Sequence, residues 1–181
     1  MVLFPPGKGG GERVCYGYKG KGVTIHSLVD GQGLPLAMCV TAANESEREQ
    51  VIPLLQSIKI QTGQVGRPKS NPSNLAADRG YDAQSLRHQL RQKGIRPEIP
   101  KRQWSSKKKR GRKMMSKVNR FVVERTFAWF QKKFRRIVVR WERKAKNFEA
   151  FIDMGFIMIW LEKSLLGWAH ENNPILTSNM V

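Results

Sequence analysis

VTIHSLVDGQGLPLAMCVTAA, Val23 to Ala43, decides the fold. Two runs rich in β-branched and apolar residues flank Asp30-Gly31, a strong tight-turn signal. An antiparallel hairpin is therefore expected, with a structural rather than catalytic role for Asp30. After it, ANESEREQVIPLLQSI predicts a helix opened by a capping box of Ser46 and Glu49. Its buried face would be Val51, Leu54, Leu55 and Ile58, with Pro53 early enough in the helix to be tolerated. Before the hairpin, PPGKGGG (Pro5 to Gly11) reads as a flexible or tightly turned loop. It lacks the GxxxxGK[ST] spacing of a phosphate-cradling loop.

Further along, GQVGRPKSNPSN is a polar connection, and Leu75 to Ala77 is a short strand delivering Asp78 at its carboxyl end. AQSLRHQLRQKG predicts an amphipathic helix with Leu86 and Leu90 inward and Gly94 as its stop. IRPEIP reads as an edge strand, because Pro97 and Pro100 would interrupt a central one. Lys101 to Lys117 shows no periodicity and reads as a basic loop. One long helix is expected over 118–139 and a second, apolar and buried, over 147–165. The order hairpin, helix, strand, helix, strand and two helices is an α/β plan with a mixed sheet.

Charge narrows the partners. The 181 residues carry 33 Lys and Arg against 14 Asp and Glu, a net charge of +19. Between Lys101 and Lys146 there are 19 Lys and Arg against only Glu124 and Glu142, a local net of +17. Such a concentrated excess repels itself unless a polyanion is near, and nucleic acid is the usual one. Cys15 and Cys39 have no metal-ligand spacing, and His26, His88 and His170 are scattered, so structural zinc is not expected. A reduced, cytoplasmic protein is the default. The apolar run MGFIMIWL (Met154 to Leu161) is too short to span a bilayer, and the N-terminus lacks the apolar core of a signal peptide.

Two acids stand out as candidates for chemistry. Asp78 lies at a strand end, where ligands converge in α/β sheets. Glu124 sits in RFVVERTFAWF, on one helical face with Arg120, Lys117 and Gln131. A carboxylate among cations stays ionised, as a hard divalent metal requires, while the cations hold phosphate beside it. The alternative is a plain ion pair between Glu124 and Arg120. Trp104, Trp129 and Trp141 have two readings as well, base stacking or core packing.

Three blocks carry a family resemblance: YGYKGKGVTIHSLVDGQGLPLAMCVTAANESE (Tyr16 to Glu47), LAADRGYD (Leu75 to Asp82) and RFVVERTFAWFQKKFRRI (Arg120 to Ile137). They resemble DDE-class transposases of insertion sequences, nearest the groups numbered four and five, over nearly the whole chain. The resemblance implies an RNase H-like mixed sheet flanked by helices, in which three carboxylates hold two Mg²⁺ (or Mn²⁺) ions. Asp78 matches the second acid, Glu124 the third, and Arg120 the arginine four residues before it. Arg120, Arg125, Lys132, Lys133, Arg135 and Arg136 are then expected to engage the DNA backbone. The implied partners are insertion-sequence ends and target DNA, a transposase dimer or an upstream-frame product, and no membrane, in a nucleoid-associated cytoplasmic setting.

Departures from the pattern are equally plain. A tyrosine seven residues before the glutamate and a lysine seven after it are replaced by Lys117 and Gln131. The first acid would fall at or just before Met1, and MVLF contains none. The expectation is a catalytic domain over 1–165 lacking most of its first central strand, with residues 1–4 as a stub, the basic loop at 101–117 and a disordered polar tail at 166–181. Such a chain would bind DNA but cleave it poorly without the first aspartate. An inactive remnant, an inhibitor of an intact transposase and an unrelated basic nucleic-acid-binding module are the alternatives.

Overall fold

The computed structural model describes residues 2–58, 71–102 and 120–172. Its centre is the expected hairpin. Strand β3 (Gly20–Val29) pairs antiparallel with β4 (Pro35–Ala42), with Ile25 opposite Val40 and His26 opposite Cys39. Asp30 closes the turn as expected: its Oδ1 accepts the backbone N–H groups of Gln32 and Leu34 at 2.9 and 2.8 Å. This is an Asx turn, which fixes the register of both strands.

The other edge of β3 is shared by two short strands. Strand β1 (Val2–Leu3) runs antiparallel to it, with Val2 opposite His26, and β2 (Cys15–Gly17) follows lower down. A second, separate sheet pairs β5 (Asn74–Ala76) in parallel with β6 (Arg96–Glu98). The result is a mixed α/β protein.

Between β4 and β5 lies helix α1 (Val51–Ser57), and between β5 and β6 helix α2 (Gln84–Gln92). The buried faces are the expected ones: Val51, Leu54, Leu55 and Ile58, then Leu86 and Leu90. They form one core with Leu75, Tyr81, Ile95 and Ile99. A second core joins Val23, Ile25 and Val40 of the hairpin to the C-terminal helices through Phe130, Ile137, Phe148 and Ile152. The hairpin contributes to both cores, as a sheet with helices on each face must.

Three helical expectations need correction. The capping box does not form: α1 starts after Gln50, which makes no side-chain cap, and residues 47–50 are turns. Glu45 instead turns back to accept the N–H of Ala42. The expected helix over 118–139 is broken. Helix α3 (Arg120–Lys133) ends at Phe134, whose φ of −119° and ψ of 82° are not helical, and α4 (Arg135–Val138) follows. The break lets Phe130, Phe134 and Ile137 all converge on Gly155 of α5 (Ala145–Asn172). Helix α5 itself continues past Leu165 to Asn172. It is also not buried all round: Met154, Ile157, Met158 and Leu161 are half exposed or more, because β4, α3 and α4 cover only one side. No helix among the described residues is long and apolar enough to cross a membrane. The basic stretch 103–119, including Trp104 and Lys117, lies outside the described residues, as do 173–181.

The glycine-rich loop is tightly turned. Gly7 bridges Arg140, and the amides of Lys8 and Glu12 donate to the carbonyls of Arg140 and Arg143. Arg140 is fully buried, lies over Phe148, and donates to the carbonyls of Glu142 and Arg143. Backbone therefore meets backbone along 7–12 and 140–143, which is why the loop needs glycine: a Cβ on Gly9 would stand 2.4 Å from the Trp141 oxygen.

Candidate functional site

Strand β5 hands the chain directly to Asp78, which caps the 3₁₀ turn Arg79–Tyr81 by accepting the N–H of Gly80. One carboxylate oxygen is committed to this turn, and the side chain stays exposed. The turn is held from outside: Arg48 Nε donates to the Gly80 carbonyl at 2.7 Å. From inside, Tyr81 is buried beside Glu47, and burial, followed by the Glu47 charge, raises its phenol far above the usual value. Loop 45–48, read from the sequence as the start of a capped helix, instead positions the strand end.

The block LAADRGYD contains a second acid with a different job. Asp82 forms a half-buried ion pair with Arg87 at 2.8 Å and accepts the N–H of Arg102. That backbone hydrogen bond, followed by Arg87, holds its carboxyl below the usual range. Asp82 is thereby consumed in joining β5, α2 and the start of the basic stretch. Asp78 is the acid left open to solvent.

Helix α3 carries Glu124. Thr126, buried, donates to the Gly33 carbonyl at 2.7 Å and to Val122 O at 3.0 Å, while Arg125 donates to the Gln32 carbonyl at 2.6 Å. These bonds anchor α3 to the turn that Asp30 closes. Thr126 was not a candidate from the sequence, although its place two residues after Glu124 was a visible clue. Glu124 itself is exposed. The side chains of Arg120 and Lys117 lie outside the described ones, so their expected pairing with Glu124 does too.

A cavity of about 490 Å³ connects the two regions. Ala77 and Val123, the residues immediately before Asp78 and Glu124, both line it, along with Tyr81 and Glu47. On its hairpin wall, His26 pairs its Nε2 with the Thr41 hydroxyl at 2.8 Å. Burial, followed by the nearby N-terminal charge, pushes its pKa down to about 4, so the ring is neutral at pH 7. The neighbours of both acids thus line one concavity. Among the described residues, no three His, Cys, Asp or Glu side chains cluster as a metal site.

The six candidate DNA-binding cations divide by their surroundings. Lys132 and Arg135 are exposed beside the break after α3. Lys133 pairs with Glu162, and Arg136 with Glu142 at 3.1 Å. Arg125 lies over Trp129, whose ring also meets Lys163. The Arg120 side chain is not described. Trp129 is half-buried between two cations, while Trp141 is 56% exposed, with Lys8 over its ring.

The model of the family described as Transposase DDE domain matches residues 4–161. The chain belongs to that family. A putative transposase for insertion sequence element IS402 from Burkholderia cepacia is 39% identical over 134 residues, which is 74% of this chain and 60% of that relative. The chain thus matches less than two thirds of the relative's length. No solved structure matches.

Proposed function

We propose that the chain is the catalytic-domain portion of an insertion-sequence DNA transposase, of the group-four or group-five type with an RNase H-like arrangement. Asp78 and Glu124 act as metal ligands in this reading. The observation carrying it is the shared cavity wall: Ala77 and Val123 bring two distant parts of the chain, each ending in an exposed carboxylate, to one concavity.

The donor chemistry fits a hard cation. Two exposed carboxylates suit Mg²⁺ or Mn²⁺, which keep several positions for water and phosphate oxygens. Such ions, two in the complete enzyme, would supply Lewis acidity at a phosphodiester. The chain's own work is to hold the acids and to grip DNA. Asp78 Oδ1 is tied to Gly80, which leaves the other oxygen for a ligand. Arg120, Arg125, Lys132, Lys133, Arg135 and Arg136 hold the backbone of insertion-sequence ends and target in the cytoplasm, with Lys132 and Arg135 the most exposed.

Mn²⁺ titration followed by NMR tests the pairing. Paramagnetic broadening is expected at Asp78, Gly80 and Glu124 together, and its loss at all three in Asp78→Asn. Broadening at one acid alone would defeat the shared site.

A further inference from the structure

At the Gly20 end of β3, away from the turn that Asp30 closes, the surface is aromatic and basic. Strands β2 and β3 meet in a two-residue turn, Tyr18-Lys19, closed by the Gly17–Gly20 pair. Tyr18 is fully exposed and Tyr16 is 75% exposed. Lys21, opposite Tyr16 in the ladder, sets its Nζ over that ring at 5.8 Å. A second pair of ring and lysine is bonded to the first through the backbone. The Gly7 N–H donates to the Lys21 carbonyl, and the next residue, Lys8, donates its N–H to the Arg140 carbonyl. Lys8 Nζ lies over the exposed ring of Trp141 at 5.7 Å.

No acid neutralises these lysines. Lys8, Lys19 and Lys21 are exposed and form no ion pair among the described residues. The sequence has no Asp or Glu between Glu12 and Asp30. Glu12 is engaged by the Ala145 N–H, and Glu142, beside Trp141, by Arg136. Three large rings left in water form an exposed cluster of the kind that marks a binding surface. Flat π-faces interleaved with ammonium groups match a strand whose bases are unstacked and whose phosphates are accessible. An intact duplex offers such a surface its phosphates and only the edges of its bases.

We infer that this patch binds single-stranded DNA, with Tyr16, Tyr18 and Trp141 stacking on bases and Lys8, Lys19 and Lys21 holding the phosphates between them. The choice of DNA over RNA rests on the transposase reading. The patch itself uses neither Asp78 nor Glu124, nor any of the six cations assigned to the DNA backbone. It gives the chain a seat for a strand freed from its complement, separate from the track along α3 and α4.

Fluorescence anisotropy of the full chain on labelled oligo(dT), oligo(rU) and a blunt duplex of equal length, over a salt series, tests it. In Tyr16→Ser with Tyr18→Ser, both exposed positions, oligo(dT) affinity should fall roughly tenfold or more at every salt concentration, because stacking is not ionic. Duplex affinity should stay unchanged, which also shows that the variant is folded. Lys19→Gln with Lys21→Gln should instead lower the oligo(dT) salt slope by roughly 1.4, at about 0.7 for each single-strand phosphate contact. Equal losses on oligo(dT) and duplex, or no loss on either, overturn the inference, as does tighter binding of oligo(rU) than of oligo(dT). A tyrosine effect seen only on phosphatidylglycerol vesicles would assign the patch to a lipid surface, overturning it equally. A wild-type chain that binds oligo(dT) but not duplex upholds the inference and removes the α3–α4 track; the reverse overturns the inference alone.

Discussion

His26 sits in the hairpin wall of the cavity, buried and hydrogen-bonded to Thr41. Its folded pKa of about 4 lies below the unfolded value of 6.5, so the unfolded chain takes up the proton first. Stability is therefore full above pH 6.5 and declines as pH falls towards 4, by roughly 3 kcal/mol in all. Urea midpoints measured from pH 7 to 5, above most carboxylate titration, should fall in the wild type and much less in His26→Gln. Thr126 carries a different load. In Thr126→Val the shape is kept, but the buried Gly33 carbonyl loses its donor, at a cost of about 1–3 kcal/mol. Chemical denaturation should report this loss. An unchanged midpoint would mean that α3 is not anchored through the hairpin turn.

At the scale of elements, close backbone approach separates the glycines. Gly9→Ala drives a Cβ against the Trp141 carbonyl, backbone that cannot swing aside, and should destabilise by about 1–3 kcal/mol. Gly31, at the tip of the hairpin turn, has nothing within 4 Å, and Gly31→Ala should stay within about 0.5 kcal/mol of wild type. Thermal melts of the pair give the comparison. The hairpin, α2 and the apolar face of α1 were legible because turn chemistry and periodicity act over a few neighbouring residues. The break at Phe134 was not, since it depends on Gly155 lying far along the chain. Nor was the exposed side of α5, because an apolar run does not say how many neighbours it has. At the site, Asp78 could be placed at its strand end from local pattern alone. The division of labour between Asp78 and Asp82 could not, because it rests on Arg87 and the Arg102 amide reaching one acid and not the other.

For the whole molecule the dominant quantity is the net charge of +19, concentrated beyond residue 100. Cations already paired with carboxylates release fewer counterions on meeting phosphate, so the pairing pattern sorts the binding residues. Lys133 and Arg136 face Glu162 and Glu142, whereas Lys132 and Arg135 are exposed. Each phosphate contact adds about 0.9 to the slope of log affinity against log salt on duplex DNA. Replacing both exposed cations, Lys132→Gln with Arg135→Gln, should lower that slope by roughly two, equally on terminal-repeat and unrelated duplexes. The paired set, Lys133→Gln with Arg136→Gln, should lower it less. Fluorescence anisotropy over a salt series measures both. If the two double variants behave alike, the ion pairs open on binding and all four cations reach the backbone. If neither changes the slope, DNA meets the chain on another face, and the break between α3 and α4 is not part of its track.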